Sequence, residues 1–187
     1  MELHRGREIR GRAQNVLGQM YRSGDGLPRN YGKAAKWFRE AAELGDRNGQ
    51  YNLGRMYQRG KEVRLDLSEA AKWFRKAAQQ GHRKAQYSLG VLYEKGTGVS
   101  RDSKEAEKWK LKAAKQGEAR AQNYCGVKYA RGGEVEKDYA EAYMWLHLAA
   151  TQGNRTARKN ISTLKEKMTP EQISEAKQLV QEWKPKA

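Results

Sequence analysis

Few residues in this chain could do covalent or metal chemistry. Three histidines, His4, His82 and His147, and one cysteine, Cys125, supply all the imidazole and thiol groups among its 187 residues. None of the histidines has a His or Cys partner at metal-ligand spacing, so no metal site is expected. A lone cysteine excludes an internal disulfide framework. The run Gly96-Thr97-Gly98 is too short to cradle a phosphate and follows a helical pattern where a phosphate loop follows a strand. No catalytic group and no cofactor is assigned, and the chain reads as a protein that is not an enzyme. Cations are abundant instead: 38 Lys and Arg face 22 Asp and Glu, for a formal net charge of +16 and a pI of about 9.9. Their chemistry is that of charge-assisted hydrogen bonds to carboxylates or phosphates.

The elements that position those cations are legible through a repeat. Leu, Ile, Val and Phe number only 26, but there are 23 Ala, 10 Tyr and 5 Trp, and a set of Ala, Gly, Tyr and Trp positions recurs at a fixed period of 36 residues across four units, as in stacked repeat proteins. Leu17, Leu53 and Leu89 share one phase with Cys125 and Ile161; Gly18, Gly54, Gly90 and Gly126 follow directly, and Tyr21, Tyr57, Tyr93 and Tyr129 come three further on. Ala13, Gly49, Ala85, Ala121 and Ala157 share another. The second half repeats through Trp37, Trp73, Trp109 and Trp145, the pairs from Ala41-Ala42 to Ala149-Ala150, and Gly45, Gly81, Gly117 and Gly153.

Each unit therefore predicts two helices. In the first, Ala13, Leu17, Met20 and Tyr21 make one buried face, and its mid-helix glycine implies a close backbone approach by a neighbouring helix. The second helix opens on a cap with a glutamate three residues later, as in Asp66…Glu69, Asp102…Glu105 and Asp138…Glu141, the pattern of a reciprocal capping box. Asn30 and Lys33 replace that pair in the first unit. Trp73, Phe74 and Trp109 are expected inside, with Trp73 and Trp109 at interfaces between units. Gly81 and its equivalents supply left-handed ends. His82, just past such a glycine, is read as exposed, His147 as a core-edge residue, and Cys125 as an inert buried thiol. Thr169-Pro170-Glu171-Gln172 predicts an N-cap, a first-turn proline and a capping box for a final helix ending near Trp183. Residues 1–11 read as a lead-in or truncated repeat in which Met1 falls on the Trp37 phase, 12–155 as the four repeats (about 12–47, 48–83, 84–119 and 120–155), and 156–187 as a C-terminal capping helical pair.

The pattern Ala85-x-x-x-Leu89-Gly90-x-x-Tyr93-x-x-Gly96-x-Gly98-Val99-x-x-Asp102, followed by Ala106-x-x-Trp109-x-x-x-Ala113-Ala114-x-x-Gly117, resembles the Sel1-like repeat, a relative of the tetratricopeptide repeat, in its bacterial form. The resemblance covers residues 13 to about 183. It implies an all-α fold, a right-handed α-solenoid of helix-turn-helix repeats, and a non-catalytic adaptor that binds other proteins on its concave surface. Some similar proteins are immunity proteins that neutralise a secreted toxin, which stands as an alternative.

Ligand-facing positions of the related tetratricopeptide fold, carried onto this chain, fall at Arg12, Asn15, Gln19, Arg22 and Ser23 in the first unit. In the second they fall at Asn48, Tyr51, Arg55, Gln58 and Arg59, and in the third at Lys84, Tyr87, Val91, Glu94 and Lys95. The fourth offers Arg120, Asn123, Val127, Ala130 and Arg131. This groove holds eight basic residues and one acidic residue, suited to an acidic peptide or loop. The alternatives are a generic basic surface, a groove for RNA or another polyanion, and, for the tyrosines, packing between units. No apolar run is long enough to cross a membrane, and the first residues lack the pattern of a signal peptide. The compartment stays open: bacterial cytoplasm, or periplasm or secreted if a leader was removed. A monomer is expected unless the uncapped N-terminal edge self-associates.

Overall fold

The structure is a computed structural model describing residues 2–60, 63–133 and 135–185, with side chains from residue 5 onward. Met1, assigned above to the Trp37 phase, and the His4 side chain lie outside the described residues. Among those residues are ten α-helices and no strand: α1 (Glu2–Ser23), α2 (Tyr31–Glu43), α3 (Arg47–Arg59), α4 (Leu67–Gln79), α5 (Arg83–Lys95), α6 (Ser103–Lys115), α7 (Ala119–Arg131), α8 (Tyr139–Thr151), α9 (Arg155–Lys165) and α10 (Pro170–Glu182). The chain forms two compact units, 1–106 and 107–187, that part within α6. In the first unit each of α1 to α4 packs on the helix that follows it, through α5. In the second, α8 lies against α7, α9 and α10. This helix-turn-helix stacking is the all-α solenoid class of the repeat.

The glycine in each first helix explains how closely a pair packs. A Cβ on Gly18 would lie 2.6 Å from the Phe38 ring, one on Gly54 2.8 Å from Phe74, and one on Gly126 2.5 Å from Leu146. The approach is that of a large side chain from the second helix of the same repeat, joined at Gly54 and Gly126 by the backbone approach that the sequence suggested, with the Ala70 and Ala142 carbonyl oxygens at 3.3 and 2.9 Å from such a Cβ. Phe38, Phe74 and Leu146 are correspondingly buried. The tryptophans divide: Trp109 and Trp145 are buried, but Trp37 and Trp73 are half-buried, and the Lys76 ammonium sits 4.1 Å above the Trp73 ring. Ala13 departs from its expected burial. In α1 it is exposed, beside Ile9 (63%) and Val16 (53%), because among the described residues no second helix precedes α1. Residues 2–11 form the start of α1.

Caps set the helix starts. Asn30, Asp66, Asp102 and Asp138 each accept from the N–H three residues on. The reciprocal half expected at Glu69 is replaced by an ion pair with Lys72 at 2.6 Å, whereas Thr169 and Gln172 form the complete capping box of α10. That helix buries Ala176 against the α8 cluster, joined by Leu179 and Met168, and Trp183 meets Trp145 edge-on at 6.4 Å. Cys125 is buried and its thiol is pushed up to about 12 by desolvation, which makes it a poor nucleophile.

His82 is not the exposed residue expected. It is half-buried, its Nδ1 accepts the Ala85 N–H at 3.1 Å as the N-cap of α5, and its ring stacks on Tyr51 at 4.4 Å. Desolvation is the main cause lowering its pKa from 6.5 to about 4, with Arg47, Lys84 and Arg83 adding repulsion. The unfolded chain takes up this proton at a higher pH than the folded chain. Stability should therefore fall progressively as pH drops from about 6.5 to about 4. His82→Asn, which copies the Asn154 cap one repeat-pair later, should remove that part of the dependence in urea melts across the window. An unaltered pH slope would contradict the capping role. In the same melts Phe74→Ala should cost about 3–5 kcal/mol, and Trp73→Ala clearly less, because its ring is only half-buried.

Candidate functional site

The second turn of repeat chemistry begins with a buried amide pair. Asn15 on α1 and Asn52 on α3 are 5% and 6% exposed, and the Asn52 amide donates to Asn15 Oδ1 at 2.9 Å. The free Asn52 carbonyl oxygen accepts Arg22 Nη1 at 3.1 Å. This relay holds the Arg22 guanidinium at one orientation, 5.6 Å over the Phe38 ring. Beside it lies a cavity of about 330 Å³ lined by Arg22, Tyr31, Ala34, Phe38, Asn52, Arg55, Met56 and Arg59. Among the described residues, the lining contains three guanidinium groups and no carboxylate. Burial, followed by repulsion from Arg55 and Arg59, lowers the Arg22 pKa. Arg55 also lies 5.7 Å over Tyr51.

The expected groove residues thus meet different fates. Arg22, Arg55 and Arg59 converge on this cavity. Arg12 and Asn48 line a separate depression with the carboxylate-bearing Glu8 and Asp46. Asn15, offered above for partner contact, is corrected to a buried structural group, because its side chain is committed to Asn52. Tyr51 is half-buried between His82 and Phe74, at 4.4 and 5.8 Å, so packing holds its ring while leaving part of it exposed. Ser23 bonds back to the Gln19 carbonyl. Gln19, Lys84, Glu94 and Lys95 are exposed, and Gln58, Tyr87 and Val91 half-buried. In the second unit Arg120 is paired with Glu118 at 2.7 Å. Asn123 accepts from Asn160 at 3.1 Å, and Asn123, Val127, Ala130 and Arg131 line a cavity of about 440 Å³ with Leu164 of α9 and Lys167 just beyond that helix.

Sequence reasoning missed Tyr31, Phe38 and Asn52. The repeat phase carried a signal for Asn52, since Asn52 and Asn160 hold one phase, Asn15 and Asn123 another, and each pair bonds across its repeat junction. It also missed Lys110, which occupies the slot of Phe38, Phe74 and Leu146 and is 2% exposed, with its ammonium 3.9 Å over the Tyr124 ring. Among the described residues no cluster of His, Cys, Asp and Glu could hold a metal ion, and no helix is long and apolar enough to cross a membrane.

Stacked helix pairs with side-chain-lined cavities at their junctions define an all-α repeat protein. The chain belongs to the Sel1 repeat family, whose model matches residues 11–46, 48–82, 83–118 and 119–154. It is similar to a Sel1 repeat protein from Oxalobacter formigenes, with 36% identity and a TM-score of 0.73 over 82% of this chain and 62% of that one. A protective antigen of uropathogenic Escherichia coli strains, displaying the same repeat fold, is 31% identical with a TM-score of 0.64, over 92% of this chain and 45% of the antigen. An immunity protein from Pseudomonas aeruginosa is 25% identical with a TM-score of 0.56, over 92% and 66%. The chain thus spans less than two thirds of the length of the first two. No curated protein matches. The Sel1 repeat fold is generally a protein–protein interaction scaffold.

Asn15→Ala should strand the buried Asn52 amide and cost about 1–3 kcal/mol. A double-mutant cycle with Asn52→Ala in urea melts measures the coupling, and additive losses would show that the two amides do not depend on each other.

Proposed function

We propose that this chain is a non-catalytic scaffold that grips an acidic segment of a partner protein through the cations of its first helices. One observation carries the reading: Arg22, Arg55 and Arg59 wall a single cavity with no carboxylate among the described residues that line it. Arg pairs bidentately with carboxylates, and an apolar floor strengthens each pair by excluding water. The remaining groove positions of the first unit, Arg12, Gln19, Asn48, Tyr51, Gln58, Lys84, Tyr87, Val91, Glu94 and Lys95, would extend the contact with weaker, more solvated interactions. In the second unit, considered by itself, Asn123 and Arg131 line their own cavity, and Arg120, already paired to Glu118, would contribute little to binding. Asn15 would act only from behind, through Asn52. The likeness to an immunity protein supports a narrower reading in which the partner is a toxin to be neutralised.

Charge reversal at Arg55, Arg59 and Lys95 tests the proposal in a pull-down from nuclease-treated lysate, read by mass spectrometry beside wild type. The expected result is a protein retained by wild type and lost in the variant, with circular dichroism and melting unchanged. Equal retention would overturn the assignment of the groove, and material that disappears with nuclease would transfer the site to nucleic acid.

A further inference from the structure

The repeat supplies its own control for the three-arginine cavity. The positions of Arg22, Arg55 and Arg59 recur one repeat later as Gln58, Val91 and Lys95, then as Glu94, Val127 and Arg131, and finally as Ala130, Thr163 and Lys167. The last set lines the second unit's cavity, which therefore occupies the equivalent position in the fourth repeat. Helix pairing tolerates neutral, apolar and even acidic residues at these phases, so the packing of the repeat does not require three arginines. They are gathered in one copy only, and there the Asn52–Asn15 relay fixes the innermost of them.

A single carboxylate would leave two of the three guanidinium charges uncompensated. A phosphate monoester carries nearly twice that charge on three acceptor oxygens and can accept from several forks at once. Phe38, Met56 and Ala34 would take the carbon stem that bears it. We propose that the Arg22–Arg55–Arg59 cavity is a selective site for a phosphate monoester carried on a side chain of the bound protein. The site would also resist phosphodiesters, which bring one charge and a second bulky substituent. This deepens the scaffold reading above and rests on it only in taking the bearer to be a protein.

The test uses small probes on the full chain: N-acetyl-phosphoserine amide, N-acetyl-glutamate amide and dimethyl phosphate, titrated at fixed ionic strength. Binding is followed by the arginine Nε–H resonances in nuclear magnetic resonance. The phosphoserine probe should bind at least about tenfold more tightly than either of the others. Its affinity should weaken as pH falls through roughly 6, where the phosphate takes up a proton, while that of the glutamate probe stays level. Arg22→Gln and Arg59→Gln should each lower it by about tenfold, and Lys167→Gln in the equivalent cavity should leave it unchanged. Equal binding of the glutamate probe would make the site a plain carboxylate anchor, and equal binding of dimethyl phosphate would point to a nucleic-acid backbone. Equal loss in Lys167→Gln would mean attraction by net charge alone. Each of these three results overturns the proposal. Because no lysate partner is involved, a failed probe titration beside a successful pull-down would remove the phosphate site and leave the scaffold standing.

Discussion

A large side chain pressed onto a bare glycine sets the separation of every helix pair where the contact is described. At Gly18, Gly54 and Gly126 even one methyl group would overlap Phe38, Phe74 or Leu146. Glycine inside a helix costs about 1 kcal/mol relative to alanine, and burial of a whole Phe or Leu side chain offsets that cost. The close approach brings Ala34, Ala70 and Ala142 of the second helices into complete burial. It also leaves the chain little need for branched aliphatic residues, which explains a stable core in a sequence so poor in them.

With the pairs drawn this close, the junctions between repeats become small and demanding. Polar groups there must find partners or carry a desolvation penalty. Gln50, Gln86 and Gln122 recur at one phase and donate to the carbonyls of Ala42, Ala78 and Ala114 in the preceding helix. Asn15 and Asn52 bond to each other in the first unit, as Asn123 and Asn160 do in the second. These amides fix the register of one helix pair on the next, and in the first unit they do a second job by steering Arg22. The same interaction that aligns repeats thus shapes the cavity proposed as the anchor.

Charge is distributed unevenly over this framework. Many cations lie across aromatic faces, among them Lys33 over Tyr21, Lys76 over Trp73 and Lys112 over Trp109. Others are neutralised, such as Arg120 by Glu118 and Lys128 by Glu107. Net charge alone therefore says little about where an anion would go. The first-unit cavity differs because its three guanidinium groups have apolar, aromatic and amide neighbours but, among the described residues, no carboxylate in its lining.

A repeat makes fold legible in sequence because each phase is sampled several times. Helix number, the glycine turns, the caps at Asp66, Asp102 and Asp138, and the Thr169–Gln172 capping box all followed from periodicity and local hydrogen bonding, which act over a few residues. Family membership followed from the same phases. Side-chain fate at junctions did not, because it depends on which groups from different helices meet. Periodicity put Trp73 and Phe74 on the same apolar face, and only packing decided that the ring of Phe74 meets glycine while Trp73 lies half outside under Lys76. The same limit hid the burial of Asn15, the capping bond of His82 and the burial of Lys110 in a slot otherwise held by Phe or Leu. The arginines were visible as residues at ligand-facing phases, but their convergence was not, since Arg22 comes from α1 and Arg55 and Arg59 from α3. The sequence by itself determined the helices and their order. Tertiary structure alone decided which charges share a cavity, because electrostatics acts through distance in space and local dielectric, not through separation along the chain.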